Sequence, residues 1–205
     1  NNNELIQFFE KMEWLISRDE LLYLRNRYHI PKKNGLKKIY FCGNSLGLQP
    51  KSVESHVVKE IQKWAKLGVE GHFEGETNWF NFHAQFDKTI SKLLGAKESE
   101  VVVANALTVN LHLLLSTFYK PTKTKYRILI ETPSFSTDYY AICSQIENLG
   151  LNVADTLIEV SPRGNEYCIR NEDIIEVIEK NKNELALVWI GAVNFYTGQF
   201  FNIKF

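Results

Sequence analysis

Short apolar runs alternate with helical patterns in the second half of this chain, and this alternation limits the possible folds more than any other feature. The runs have strand length and cover residues 101–104, 127–131, 153–160 and 185–190, and the first of them is apolar throughout. Apolar residues at helical spacing follow three of them, along 109–114, 138–149 and 171–180. Such a pattern predicts an α/β fold with a mainly parallel sheet, flanking helices and right-handed crossovers.

Helices dominate the prediction for the first hundred residues. Residues 4–28 carry two amphipathic runs, which predict two packed helices. Turn residues fill 31–35, and Pro50 suits the first position of a helix because it has no N–H to leave unpaired. A loop over 68–75 precedes a further helix, which Gly95 is expected to end.

Charge and cysteine content argue against several classes of protein. The 205 residues contain 24 Lys and Arg and 24 Asp and Glu, so no overall field favours nucleic acid or an anionic membrane. Cys42, Cys143 and Cys168 show no CxxC spacing, so reduced thiols in a cytoplasmic protein are expected. No apolar run approaches the ~18 residues of a membrane span, and the polar start lacks the pattern of an export signal.

The loops that follow the strands are the predicted ligand sites, because an open α/β sheet binds ligands at the carboxyl ends of its strands. After the first strand, backbone N–H groups and the Thr108 hydroxyl lie at a helix N-terminus, which favours an anion such as phosphate. The alternative is that Thr108 only caps its helix. After the second strand, Phe135 could stack on a planar cofactor ring. The alternative is that Phe135 plugs the core while Asp138 caps or charges the helix start.

His72 is the histidine best placed for chemistry, since it lies in a glycine-bearing loop with three glutamates nearby. A solvated loop histidine is the alternative. The loop 191–199 is interpreted as a turn, with Gly198 at a position of positive φ. The sequence contains no HxxxH or other metal-ligand spacing, no GxxxxGK[ST] and no GxGxxG. The GxSxG spacing of residues 43–47 lies in a loop and is not interpreted as a nucleophile elbow. No metal site is therefore predicted, and triad hydrolases and NAD-dependent dehydrogenases lose most of their support.

Three segments of the chain resemble the kynureninase family, in the same order and at similar separations. They are YFCGNSLGLQP over 40–50, NALTVNLHLL over 105–114 and NFYTGQ over 194–199. Weaker pieces are GVEGHF over 68–73 and FSTD over 135–138, with SQI downstream at 144–146. The resemblance covers the chain from about residue 4 to its last residue.

This resemblance implies an enzyme dependent on pyridoxal 5'-phosphate (PLP), with the fold-type I architecture of PLP-dependent transferases. It also implies a cytoplasmic homodimer that hydrolyses L-kynurenine, or 3-hydroxykynurenine, to anthranilate, or 3-hydroxyanthranilate, and L-alanine. Such a reaction belongs to tryptophan catabolism and NAD biosynthesis. In this interpretation residues 1–50 form an N-terminal helical segment ending in the GNSLG loop, a part of the small domain or of a dimer arm. Residues 51–205 then form an incomplete PLP-binding large domain.

The resemblance also implies roles for individual residues. Two match the phosphate-binding turn, and four match the turn that contacts the cofactor ring, with Phe135 stacked on it; they are Leu107 and Thr108, then Phe135, Ser136, Thr137 and Asp138. Ser45 and His72 match positions that line the substrate pocket. Gly191 stands where many relatives carry Ser or Thr, so it receives no role. The Schiff-base lysine of the family is expected beyond residue 205, so no catalytic residue is assigned and the segment alone is predicted to be inactive.

Two other interpretations stay open at this point. The chain could come from another fold-type I enzyme, such as a relative of the cysteine desulfurases or aminotransferases, which would share the phosphate turn and the parallel sheet. It could also be a non-catalytic truncated module. Assays of the complete protein with L-kynurenine and with L-cysteine would separate the two enzymes.

Overall fold

The computed structural model describes Gln7 and residues 21–203, in two compact units that divide between Gln85 and Phe86. The helices predicted over 4–28 fall mostly outside the described residues, and Leu22–Arg27 is a short 3-10 helix. The prediction of domains over 1–50 and 51–205 concerns the organisation of a complete protein and stays a prediction.

The first unit contains a small hairpin and one long helix. Strands β1 (Lys32–Lys33) and β2 (Leu36–Lys37) pair antiparallel. Asn34 and Gly35 join them, both with positive φ (53° and 79°), as a tight two-residue hairpin turn requires. The predicted turn is thus confirmed. Helix α1 (Val53–Leu67) begins three residues after Pro50 and leads into a 3-10 turn over Gly68–His72.

The second unit opens with short helices. A 3-10 helix over Phe82–Phe86 crosses the division between the units and leads into α2 (Asp87–Leu94). Gly95 ends α2 in the left-handed conformation, with φ of 66°, as predicted. Another 3-10 turn, Glu98–Glu100, follows.

A parallel sheet of three strands forms the centre of the second unit, which confirms the predicted α/β class. The strands are β3 (Arg127–Glu131), β4 (Leu157–Val160) and β5 (Leu185–Trp189), in the order β4-β3-β5. The helices are α3 (Leu107–Phe118), α4 (Ser136–Asn148), the short α5 (Val153–Thr156) and α6 (Asn171–Asn181).

The two faces of β3 lie in two separate hydrophobic clusters. Ile128 and Ile130 pack against α3 and α4, whereas Leu129 packs against Ile174 of α6 and Phe201. All three β3 side chains are completely buried. Burial on both faces explains why β3 has no polar alternation in its sequence, and it places the crossovers of the sheet on opposite sides.

Two of the strand predictions are wrong, one wholly and one in part. Residues 101–104 are extended at Val101 but pair with no strand among the described residues, and Val102 is 68% exposed. An apolar β-prone run forms a ladder only where a partner strand supplies hydrogen bonds. Residues 153–156 form α5, because the Asn152 side chain accepts hydrogen bonds from the N–H groups of Ala154 (2.8 Å) and Asp155 (3.3 Å).

The N-cap of α6 is Arg170, and Glu172 and Asp173 lie in its first turn. The buried face of α3 differs from the prediction. In α3 the buried positions are Leu111 and Leu115, one turn apart, and not the stripe 109, 113 and 114, which is about half exposed. The α3 sequence is apolar almost all round, so periodicity alone could not select the buried face.

Candidate active site

The turn before α3 is locked to the helix by two asparagines. Asn105 adopts the left-handed conformation, with φ of 46°, which Asn tolerates better than most residues. Its side chain donates to Asn110 Oδ1 (3.1 Å), and Asn110 Nδ2 donates to the carbonyl of Ala104 (2.7 Å). These two bonds fix the backbone directly in front of the helix. Neither asparagine was predicted to have a role, although an Asn in a turn is a recognised signal for side-chain bonding to the backbone.

The first turn of α3 presents a set of unpaired hydrogen-bond donors. Its N-cap is Ala106, which has no side-chain group to cap the helix, so the N–H groups of Leu107, Thr108 and Val109 have no partner within it. The Thr108 hydroxyl makes no cap, and the alternative that Thr108 merely caps α3 is therefore wrong. The first turn contains no acidic residue. This helix terminus therefore has the donors and the dipole that favour an anion.

Phe135 lies at the N-cap of α4 and remains 46% exposed. Its ring packs edge-on against Phe195, with the centroids 5.2 Å apart and the planes at 85°. The alternative that Phe135 plugs the core is wrong, because nearly half of the residue is exposed. Ser136 and Thr137 follow at the exposed start of the helix.

Asp138 distinguishes the N-terminus of α4 from that of α3. It lies in the first turn of α4, where its negative charge stabilises the helix dipole. Its carboxylate also accepts a long hydrogen bond from the Thr137 hydroxyl (3.4 Å). A bound anion at α4 would face this carboxylate, whereas α3 has no such charge. The two helix starts therefore differ in chemistry: α3 suits an anion, and α4 offers an aromatic face.

Both helices begin at the same edge of the sheet. Helix α4 follows the carboxyl end of β3 directly, and α3 packs beside α4 on the same face of the sheet. The far end of α3 is held near the amino end of β3, because the buried Tyr119 hydroxyl donates to the carbonyl of Tyr126. Burial raises the pKa of Tyr119, so this hydroxyl stays protonated and able to donate. The N-terminus of α3 consequently points to the carboxyl edge of the sheet.

Asn194 ties the loop after β5 to the turn that carries Phe135. It is buried, its Nδ2 donates to the carbonyl of Pro133 (2.9 Å), and its Oδ1 accepts from the N–H groups of Tyr196 and Thr197 (both 3.0 Å). From the sequence, loop 191–199 was predicted only to be a turn. Asn194 in a predicted turn was the available signal, since Asn side chains bond to the backbone two and three residues on.

A buried carboxylate accounts for the glycine at position 191. Glu131, at the carboxyl end of β3, is only 6% exposed, and its Oε1 accepts from the Gly191 N–H (3.2 Å). A Cβ at Gly191 would lie 3.3 Å from that oxygen, so a larger residue would crowd the carboxylate. The second oxygen, Oε2, is buried with no partner among the described residues. Gly191 thus has a structural role that the sequence did not indicate: it leaves room for the Glu131 carboxylate.

Ser45 and His72 belong to the first unit. Ser45 is exposed in a turn where the Tyr40 hydroxyl donates to the carbonyl of Leu46 (2.6 Å). His72 is also exposed, but it is not simply solvated, because its ring packs edge-on against Trp79 at 5.4 Å. The N–H groups of Trp79 and Phe80 bond to the carbonyls of residues 71 and 72, which fixes this segment.

Replacing Gly71 with alanine should destabilise the His72 segment. A Cβ at Gly71 would lie 2.6 Å from the Trp79 ring, closer than real contacts allow, so the indole must move. We expect a loss of about 1–3 kcal/mol in the free energy of unfolding, measured by urea titration. Gly43→Ala is the matched control, because nothing lies within 4 Å of a Cβ there. Equal stability of Gly71→Ala and Gly43→Ala would contradict the packing described.

The cysteine near the site is not activated as a nucleophile. Burial is the largest cause that raises the pKa of Cys143 on α4, so its thiol stays protonated at neutral pH. Cys143 in turn raises the pKa of the neighbouring Tyr139. Across residues 21–203, no cluster of three or more His, Cys, Asp or Glu side chains has a geometry that would bind a metal ion. Over the same part of the chain, the longest and most apolar helices fall short of what crossing a bilayer requires.

Curated kynureninases are similar to this chain over nearly its whole length. One from Flavobacterium psychrophilum is 45% identical over 195 residues, which is 95% of this chain and 46% of the relative. One from Christiangramia forsetii is 42% identical over 97% of this chain and 46% of the relative. The human kynureninase is 42% identical over 90% of this chain and 42% of the relative. The chain thus spans a little under half the length of these relatives. No family model matches it.

Proposed function

We propose that this chain is part of a kynureninase and that it forms the phosphate-binding and ring-stacking walls of a PLP site. The observation that carries the proposal is the acid-free N-terminus of α3, where unpaired N–H groups and the unused Thr108 hydroxyl lie at the carboxyl edge of the sheet. Identity of 42–45% to curated kynureninases over most of the chain supports the choice of enzyme.

The second unit offers hydrogen-bond donors for the phosphate of PLP and an aromatic face for its pyridine ring. A phosphate group would accept from the N–H groups of Leu107 and Thr108 and from the Thr108 hydroxyl. The half-exposed Phe135 ring would pack on the pyridine ring, held in place by its edge-on contact with Phe195. Ser136 and Thr137 add hydroxyl donors at the start of α4.

These residues bind and orient; they do not carry out the bond cleavage. When bound, PLP supplies an electron sink for the amino acid substrate. Helix α3 anchors its charged end, and Phe135 fixes the plane of its ring and keeps water from one side. Asn194 holds the Phe135 turn against the loop after β5, which limits how far the ring can move. Ser45 and His72 are proposed to line the pocket of the aromatic substrate.

The proposed reaction is hydrolysis of L-kynurenine or 3-hydroxykynurenine to an anthranilate and L-alanine. The complete protein is proposed to be a fold-type I homodimer. Support for self-association comes from the exposed apolar stripe of α1, in which Val57, Ile61 and Trp64 are 53%, 58% and 67% exposed. Three free cysteines support a reducing, cytoplasmic location.

Phe135→Ala should weaken PLP binding about tenfold in the full-length protein, because it removes the ring-stacking face. The PLP affinity of Phe135→Leu should lie between those of the unaltered protein and Phe135→Ala, since leucine keeps apolar cover without the flat ring. Cofactor titration followed by absorbance, together with release of anthranilate from L-kynurenine, measures both effects. Phe118→Ala is the control, because Phe118 is 73% exposed at the end of α3.

An unaltered full-length protein that cleaves L-cysteine but not L-kynurenine would contradict the proposed reaction.

A further inference from the structure

A basic pocket in the first unit is not used by the proposed function. Residues 21–51 contain seven Lys and Arg and no Asp or Glu, although the chain as a whole is neutral. Four of these cations line a pocket of about 270 Å³ together with Asn26, Tyr28, His29 and Ile30; they are Arg25, Lys32, Lys37 and Lys51. Such segregation of charge in a neutral chain indicates a local site for an anion.

The backbone brings the four cations together from three separate stretches of chain. The His29 N–H donates to the carbonyl of Gln49 (2.9 Å), and the Lys51 N–H donates to the carbonyl of Arg27 (2.8 Å). The hairpin then returns Lys37 to a position directly opposite Lys32. The pocket is therefore a product of regular hydrogen bonding and not of chance contact between flexible side chains.

This arrangement costs stability unless an anion is present. Like charges placed directly opposite in an antiparallel pair are destabilising, and Lys32 and Lys37 are such a pair. No carboxylate among the described residues forms a salt bridge with any of the four pocket cations. Nothing in the packing of this hairpin requires lysine, since both residues are exposed. The charges are consequently available to a ligand.

We propose that this pocket binds a small anion that carries several phosphate charges. Three lysines and one arginine supply charge-assisted donors, which are about twice as strong as neutral ones. The pocket is concave and small, so it suits a compact oligophosphate or the phosphate end of a nucleotide better than an extended polymer. None of the residues that line it belongs to the proposed PLP site, and the proposal does not depend on the proposed function.

Inorganic tripolyphosphate is the probe that tests this proposal, by calorimetry on the full-length protein. The double variant Lys32→Gln/Lys37→Gln should weaken its binding at least about tenfold, because two charge-assisted donors are lost. Lys33→Gln/Lys38→Gln removes the same charge from the same hairpin, at residues that do not line the pocket, and should change the Kd less than about twofold. Both variants keep the hairpin turn and the backbone hydrogen bonds.

Comparison of ATP with adenosine shows which part of a ligand the pocket recognises. ATP should bind and adenosine should not, while tighter binding of tripolyphosphate than of ATP would identify the free oligophosphate as the ligand. Equal weakening by the two double variants would overturn the proposal, since it would indicate a diffuse charge effect. So would absence of tripolyphosphate binding, or an RNA oligonucleotide that binds more tightly than either phosphate compound.

Discussion

Thr108→Asp in the full-length protein is expected to weaken PLP binding by at least about 100-fold, or about 2.7 kcal/mol. The new carboxylate would lie among the unpaired N–H groups of α3, where it would satisfy the donors and repel the phosphate. The helix itself should not suffer, because an acidic residue in the first turn stabilises a helix. Loss of cofactor without loss of fold is therefore the expected result, measured by absorbance titration and by thermal melting.

Thr108→Asn is the matched control for this variant. Its side chain has nearly the same shape as aspartate but carries no charge, so most of the loss should disappear. Leu107→Pro provides a second check, since proline is tolerated at the first helical position and removes only the N–H of Leu107. Ala106 already has the extended conformation that a following proline requires. Unchanged PLP affinity in Thr108→Asp would contradict the assignment of α3 as the phosphate site.

Ile142→Ala is expected to cost about 2–5 kcal/mol in the free energy of unfolding. Ile142 lies on α4, is completely buried, and packs in the cluster that joins α3 and α4 to Ile128 and Ile130 of β3. The closely packed neighbours on two helices and a strand leave little room to collapse into the cavity. Urea titration of the full-length protein measures the change, and PLP affinity should fall in parallel because both helix starts depend on this packing.

Tyr140→Ala on the same helix is the control for Ile142→Ala. Tyr140 is 68% exposed, so its removal should cost about 1 kcal/mol or less. A loss at Ile142 no greater than at Tyr140 would mean that α4 is not docked on β3 as described.

The strands could be predicted where an apolar run of strand length had a partner strand. The predicted runs 127–131 and 185–190 agree with β3 and β5 to within one residue at each end, although only β3 is buried on both faces and Ala186 and Val188 of β5 are exposed. Residues 101–104 have the same pattern but lack a partner among the described residues, so composition alone could not decide whether they pair. The strand prediction for residues 153–156 was wrong for another reason, since the Asn152 cap stabilises a helical turn within a β-prone stretch.

Part of the candidate site could also be predicted from the sequence, and part could not. A helix N-terminus after a strand follows from the α/β pattern, so the position of Phe135 after β3 could be anticipated. The start of α3, with Thr108 in its first turn, was anticipated too, although no strand precedes it among the described residues. The roles of Thr108 and Phe135 as cofactor contacts stay predictions. The bond from Asn194 to the Pro133 carbonyl and the contact between Glu131 and Gly191 could not be anticipated, because both join segments about 60 residues apart. Sequence patterns report local structure, whereas such long-range contacts depend on the completed sheet.

A crystal structure of the full-length protein with PLP bound would test the central claim most directly. The account predicts phosphate oxygens within about 3 Å of the Leu107 and Thr108 N–H groups. It also predicts that the Phe135 ring lies against the pyridine ring. A phosphate held at the start of α4 beside Asp138, or at a site away from the carboxyl edge of the sheet, would contradict it.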